Sequence, residues 1–275
     1  MKRNGFFSHP IAMKPDITFT VSARGKKSHQ PVLEFLETCF PSLRLDQVDS
    51  VFGFVEPSSL YSGRPYLSRQ LSEADVEAMY GVGIGLRIPC SNHLVTREEY
   101  DEHRSFFEKY HRKGNSVICT SDDLAGWLRK DFPSYQVEAS MLKEIDTLEK
   151  IDRALDLYHT VILPMNLNYQ TDFLSSIRAK DRITLFGNAG CALTCPNRTC
   201  YRVISGMNKK LIRQGPVRRN LYVTFRLGFQ IDWCSYRLHP RKLRGMVDFD
   251  LNRLCDLGFR RFKMLRENRL MQTGY

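Results

Sequence analysis

A chain of 275 residues with 42% apolar and 11% aromatic side chains can bury a large core, which excludes an intrinsically disordered protein. No apolar run approaches the ~20 residues of a membrane span, and the first residues, with Lys2, Arg3, Asn4, His9 and Pro10, are too polar for a signal-peptide core; a soluble, cytoplasmic protein is expected. The net charge of +11 is lopsided, because residues 198–275 hold 18 Lys and Arg against 5 Asp and Glu, or +13, leaving −2 for the rest; this favours an anionic small molecule or RNA as partner unless helical spacing scatters the charge over a solvated surface.

Short strand-like runs, each followed by a helical pattern, recur along the chain. Residues 17–21 (ITFTV) precede a helix over 31–39, 50–55 (SVFGFV) a loop and a helix over 72–80, and 83–88 (GIGLRI) one long charged helix over 96–112. Residues 116–119 (SVIC) lead through the helix caps Ser121 and Asp122 to a helix over 124–130, and 136–139 (QVEA) to a helix over 143–157. Then come 160–163 (TVIL) with a helix from Thr171, 182–186 (RITLF) with a cysteine-rich loop, 228–232 (GFQID) and 261–264 (RFKM). This rhythm predicts an α/β fold, a TIM-like (β/α)8 barrel with a doubly wound parallel sheet as the alternative. Nine candidate strands are one too many for the barrel, so one must lie outside it. No low-complexity linker divides the chain; residues 1–275 are read as a single barrel domain with an excursion or hairpin at about 208–226 over one barrel end.

Eight cysteines without an export signal argue against a disulfide scaffold. Cys191, Cys195 and Cys200 crowd one loop at the end of a buried strand, and Cys234 follows the next candidate strand, so the four sulfurs can converge. Four thiols without an interleaved histidine suit zinc or an iron–sulfur cluster, and unligated core thiols are the bland alternative. Cys39, Cys119 and Cys255 fit buried small apolar positions; Cys90, just past a strand, fits either description. The glycines Gly81, Gly83 and Gly85 lie before and within a strand, which is the wrong context for a dinucleotide fingerprint.

Around the cysteine loop the chain resembles a known family. Asn188, Gly190, Cys191, Cys195, Pro196, Asn197, Arg198, Cys200 and Cys234, with Asn166, Leu167 and Asn168 at the end of the preceding strand and the closing run FRRFKMLRENR, are similar to the collagenase-like peptidase family U32. Its members include oxygen-independent ubiquinone-hydroxylation proteins and RNA-base hydroxylases. The resemblance covers the second half of the chain and implies a TIM-like barrel, a 4Fe-4S cluster held by Cys191, Cys195, Cys200 and Cys234, and hydroxylation without molecular oxygen. The family's closing strand usually carries a Glu two residues after its Lys; here Leu265 takes that place after Lys263, and Glu267 comes two residues later.

TIM barrels place their active sites at the C-terminal ends of the strands. Arg87, Asn92, His93, Asn166, Asn168, Asn188, Lys263 and Arg266 are therefore the candidate substrate-binding residues. Glu138 and Asp232 are expected as structural ion-pair partners of Arg87 or Lys263, and His93 as a solvated loop residue or a proton donor. Lys209, Lys210, Arg213, Arg218 and Arg219 are the candidate nucleic-acid contacts. Three functions follow: an iron–sulfur hydroxylase acting on an anionic substrate or RNA; a zinc-stabilised barrel that binds nucleic acid or a protein partner without chemistry; and a peptidase, for which no activated nucleophile is readable.

Overall fold

A computed structural model describes residues 16–193, 199–213 and 247–265. Eight parallel strands close into a barrel: β1 (Thr18–Ser22), β2 (Val48–Phe52), β3 (Gly85–Ile88), β4 (Ser116–Cys119), β5 (Gln136–Ala139), β6 (Thr160–Ile162), β7 (Ile183–Phe186) and β10 (Arg261–Met264). They follow one another around the ring in chain order, and β10 returns to β1 with Thr18 opposite Arg261 and Thr20 opposite Lys263. That closure establishes the TIM-like barrel and rules out the doubly wound sheet, which has two open edges. Eight of the nine candidate strands are the barrel strands. The ninth, residues 228–232, lies outside the described residues, and the barrel closes without it. The strand beside β7 is β10, with Phe186 opposite Lys263, so the expectation that Cys234 follows the barrel strand adjacent to the cysteine loop is corrected.

The strands alternate in polarity with the apolar side turned outward. Phe19, Val21, Val51, Leu86, Val117, Val137, Val161, Leu185 and Phe262 are buried on the outer face. Helices cover this face: α1 (Val32–Cys39), α2 (Glu73–Gly81), α3 (Arg97–Glu102), α4 (Arg104–Lys109), α5 (Asp122–Asp131), α6 (Leu148–Leu157), α7 (Thr171–Ser176) and α9 (Leu251–Asp256). Their starts follow the expected chemistry, since Ser72, Thr96, Ser121, Thr147 and Asp250 each accept a backbone N–H of the first turn. Cys39, Cys90, Cys119 and Cys255 are buried core residues.

Two helix expectations change. The long helix over 96–112 is broken at His103, whose ring Nδ1 lies 2.7 Å from the Glu99 carbonyl oxygen, the acceptor an unbroken helix would give to the His103 N–H; that N–H bonds to Tyr100 instead. The helix over 143–157 starts only at Leu148, after a 3-10 turn (Met141–Lys143) that Glu144 ends in the left-handed conformation, φ 53°. Gly85 answers for the glycine-rich run: a Cβ there would collide with the Gly114 carbonyl oxygen, so its lack of a side chain serves strand packing.

After β7 the chain enters β8 (Asn188–Ala189), which pairs antiparallel with β9 (Val247–Asp248). The chain between these two short strands contributes no barrel strand among the described residues, and most of the expected excursion at 208–226 lies outside them. Its described parts are a 3-10 turn (Cys191–Leu193) and the fifteen-residue α8 (Thr199–Arg213). Residues 208–213 thus finish a helix, and Cys200 lies in its first turn, outside the expected loop. Among the described residues no helix is long and apolar enough to cross a membrane.

Candidate active site at the barrel mouth

The register of the strands sorts the inward side chains into layers of four from alternate strands. The lowest holds Ser50, Ser116, Thr160 and Arg261; the middle Thr20, Arg87, Glu138 and Thr184; the upper Phe52, Ile118, Ile162 and Lys263. Barrel interiors are ordinarily filled by Val, Ile and Leu. Here two of three layers are entirely polar, and Lys263 brings a cation to the third, beneath the C-terminal mouth.

Arg87 is a scaffold residue below that mouth. Its Nε lies 2.7 Å from Glu138 Oε1 and donates to Ser116 Oγ at 2.9 Å, while Nη2 is 3.4 Å from Asp49 Oδ2. The expected Arg87–Glu138 ion pair is present; Asp232 lies outside the described residues. Lys263 has a different setting. Its Nζ sits 4.1 Å from the centroid of the Phe52 ring and, among the described residues, has neither a carboxylate nor a hydrogen-bond acceptor as partner. Burial, reinforced by the positive charge of Arg87 and opposed by Glu138, pulls the Lys263 ammonium down to about 7.

The loop after β2 adds a cation that sequence reasoning missed. Arg64 stacks its guanidinium 4.7 Å over Phe54 and donates to Gln70 Oε1, which also accepts from the Phe54 N–H. Burial and the neighbouring Arg24 lower its pKa, and its charge in turn helps to lower that of Lys263. Among the described residues Arg64 and Lys263 thus bring positive charge to the mouth without a carboxylate paired to either, an arrangement that favours an incoming anion.

Helix α8 crosses to this side and fixes the loops. Asn208, fully buried, donates to the Tyr61 and Arg64 carbonyl oxygens at 2.9 and 3.0 Å and accepts from the Tyr66 N–H at 2.8 Å. Asn92, also fully buried, donates to the Ser59 and Ser205 carbonyl oxygens and accepts from the Leu94 N–H. Neither Asn208 nor Ser205 carries a local sequence signal, because long-range docking alone gives them their roles.

His93 is half-buried rather than solvated, with Nδ1 3.1 Å from Ser205 Oγ; burial, then Arg202, lowers its pKa and favours the neutral ring. A Ser–His pair invites comparison with an activated nucleophile. Ser205 Oγ is, however, buried, donates to the Tyr201 carbonyl oxygen at 3.0 Å, accepts from the His93 N–H at 3.2 Å and lies 2.8 Å from Ser62 Oγ. Its lone pairs and proton are committed to holding α8, so it is no nucleophile.

On the opposite rim the Asn168 side chain donates to the Phe186 carbonyl oxygen at 2.7 Å, and the Asn168 backbone carbonyl accepts from Arg253 of α9. Asn188 clamps the Leu265 backbone at both its N–H and its carbonyl, at 2.7 and 3.0 Å, tying β8 to the exit of β10. Asn166 is exposed. Lys209 is held by Glu99 at 2.8 Å, and Lys210 is exposed on α8, which Arg213 closes. Arg218, Arg219, Arg266, Cys195 and Cys234 lie outside the described residues. Cys191 opens the 3-10 turn after β8, and Cys200 is half-buried. Among the described residues no three metal-ligating side chains converge.

No family model matches the chain, and no curated protein is similar enough to count as a match. Among solved structures, that of the U32 peptidase Mk0906 has the same fold, with a TM-score of 0.58 and 16% identity over 96% of this chain and 99% of that one. The barrel of this protein is thus built on the U32 fold.

Proposed function

We propose that this protein is an iron–sulfur enzyme of the oxygen-independent hydroxylase type that acts on an anionic substrate. The observation that carries the anionic part is the barrel mouth, where among the described residues no carboxylate pairs with Lys263 and Arg64 is matched by an amide and a ring. Phe52, Ile118 and Ile162 share the layer of Lys263 and leave it nearly buried, so an anion held there meets a low-dielectric wall.

The cysteines fit a cluster in one structural respect. Cys191, Cys195, Cys200 and Cys234 all fall in the stretch of sequence between β8 and β9, whose pairing holds the two ends of that stretch together, whereas the other four cysteines are core residues. Soft thiolates of this number would hold a 4Fe-4S cluster, which supplies electron transfer when bound. The protein's own side chains do the rest: Arg64 and Lys263 orient the anion, Asn208 and Asn92 hold the loops, and Arg87 with Glu138 supports the floor.

Anaerobic purification followed by absorption spectroscopy and metal analysis tests this reading. A brown protein with a broad band near 400 nm, lost on replacing any of the four cysteines by alanine, supports the cluster. One zinc per chain and no such band would support instead the binding barrel without chemistry. Filter binding with total RNA at two salt concentrations separates RNA from a small anion as the substrate class. A peptidase ranks third, since the Ser205–His93 pair is structural.

A further inference from the structure

The upper layer of the barrel contains a feature that anion binding alone does not explain. A lysine that only held an anion would serve best with its charge secured, yet Lys263 is placed where an ammonium is hardest to keep. It stands over the Phe52 ring among Ile118 and Ile162, with Arg87 in the layer beneath and Arg64 above. Its 8% exposure marks it as nearly closed off, and nothing within hydrogen-bond distance accepts from it among the described residues. Desolvation beside other cations is the setting that turns a lysine into a nucleophilic amine.

We propose that Lys263 is a covalent carbonyl-binding residue: its ε-amine condenses with the carbonyl group of an anionic oxo compound, a 2-oxo acid or a relative, to form an imine. The amine lone pair makes the new C–N bond as the C=O π bond opens to a carbinolamine. The carbinolamine oxygen then leaves with the two nitrogen protons as water, giving C=N, so no oxidant or reductant is consumed. Arg64 supplies the fixed charge for the carboxylate. The charged groups that act on the amine are Arg87 of β3, Glu138 of β5 and Arg64 of the loop after β2; the first and last favour its neutral form and Glu138 opposes them. The inference rests on the anionic-substrate part of the proposed function and is independent of the cluster.

Borohydride trapping with pyruvate as the probe tests it on the full chain. One equivalent of reduced adduct on the peptide that carries Lys263, absent from Lys263→Arg, is the expected result. In the unaltered protein, trapping at pH 8 should be about a hundredfold faster at Lys263 than at ordinary exposed lysines, whose pKa near 10.4 leaves them almost wholly protonated. That within-protein comparison needs no variant and stands even if Lys263→Arg does not fold. Pyruvate that binds by calorimetry but leaves no adduct on Lys263, or adducts spread evenly over the exposed lysines, would overturn the imine and keep the anion site. Absence of both binding and trapping by pyruvate, with inorganic phosphate and RNA also failing to bind, would sink the anionic-substrate reading as well.

Discussion

Arg87 and Glu138 face each other across the interior of the barrel, Nε to Oε1 at 2.7 Å, with side chains only 3% and 1% exposed. Strands β3 and β5 are not neighbours, so the pair spans the barrel inside one layer and braces it where most barrels rely on branched aliphatic packing. Replacing Glu138 by alanine leaves the buried Arg87 guanidinium, among the described residues, with Asp49, 3.4 Å away, as its one counter-charge. A loss of about 3–5 kcal/mol in urea unfolding is expected, while the double change Arg87→Met with Glu138→Leu should recover most of it. Equal losses in the single and double variants would show that the pair is not coupled.

Lys263 gives stability a definite pH dependence. Its folded pKa is about 7, below the ordinary lysine value near 10.4. Between those values the unfolded chain binds the proton and the folded one does not, so stability rises with pH through the window and is lowest, for this group, below about 7. Thermal unfolding from about pH 7 to 8.5 should show a melting-temperature slope more positive than that of Lys263→Met; above about 8.5 the thiols of Cys90 and Cys119, pushed up by burial, act in the opposite sense, as do the tyrosines with raised pKa values, such as Tyr100 and Tyr110, near and above about 10. A slope of the same size in the variant would contradict this assignment.

Asn208 ties α8 to the loop that carries Arg64 through three hydrogen bonds. Asn208→Ala leaves backbone groups of Tyr61, Arg64 and Tyr66 without these partners in a buried site, at a cost of roughly 1–3 kcal/mol. Amide hydrogen exchange around residues 61–66 should quicken with it. Unchanged exchange there would mean that the loop holds its shape without the helix.

The two lysines at the end of α8 should behave differently toward a polyanion. Lys209 is already committed to Glu99, whereas Lys210 is exposed. If RNA is the substrate, Lys210→Ala should reduce the magnitude of the salt slope of binding by about 1, and Lys209→Ala should leave it nearly unchanged. Filter binding over a range of salt concentrations reads both, and equal effects would refute the distinction.

Barrel strands were legible because each is a short apolar-rich run ahead of a helix cap, and eight such runs are the eight strands. Residues 228–232 have the same local pattern, and only the direct pairing of β7 with β10 shows that the barrel does not need them. The break at His103 turns on a side-chain contact with a carbonyl, which no hydropathy period records. Arg87, Glu138 and Lys263 could be found from the sequence because strand positions have a parity and a height. Arg64, Ser205 and Asn208 could not, since they sit in a loop and on a helix brought together across more than 140 residues of chain.

The antiparallel pairing of Asn188 with Asp248 and Ala189 with Val247 makes the excursion a graft with a narrow neck. Its two ends already stand side by side, so the length of chain between them does not alter the distance that the barrel must close. A change of length between β8 and β9 therefore leaves the register of β7 with β10 unaltered. Joining the neck directly with an Asn-Gly turn would leave a hairpin of ordinary geometry but would remove α8, and with it the bonds by which Asn208 and Ser205 hold Tyr61, Arg64, Tyr66 and Asn92, so the barrel would keep its ring of strands and lose the shape of its mouth.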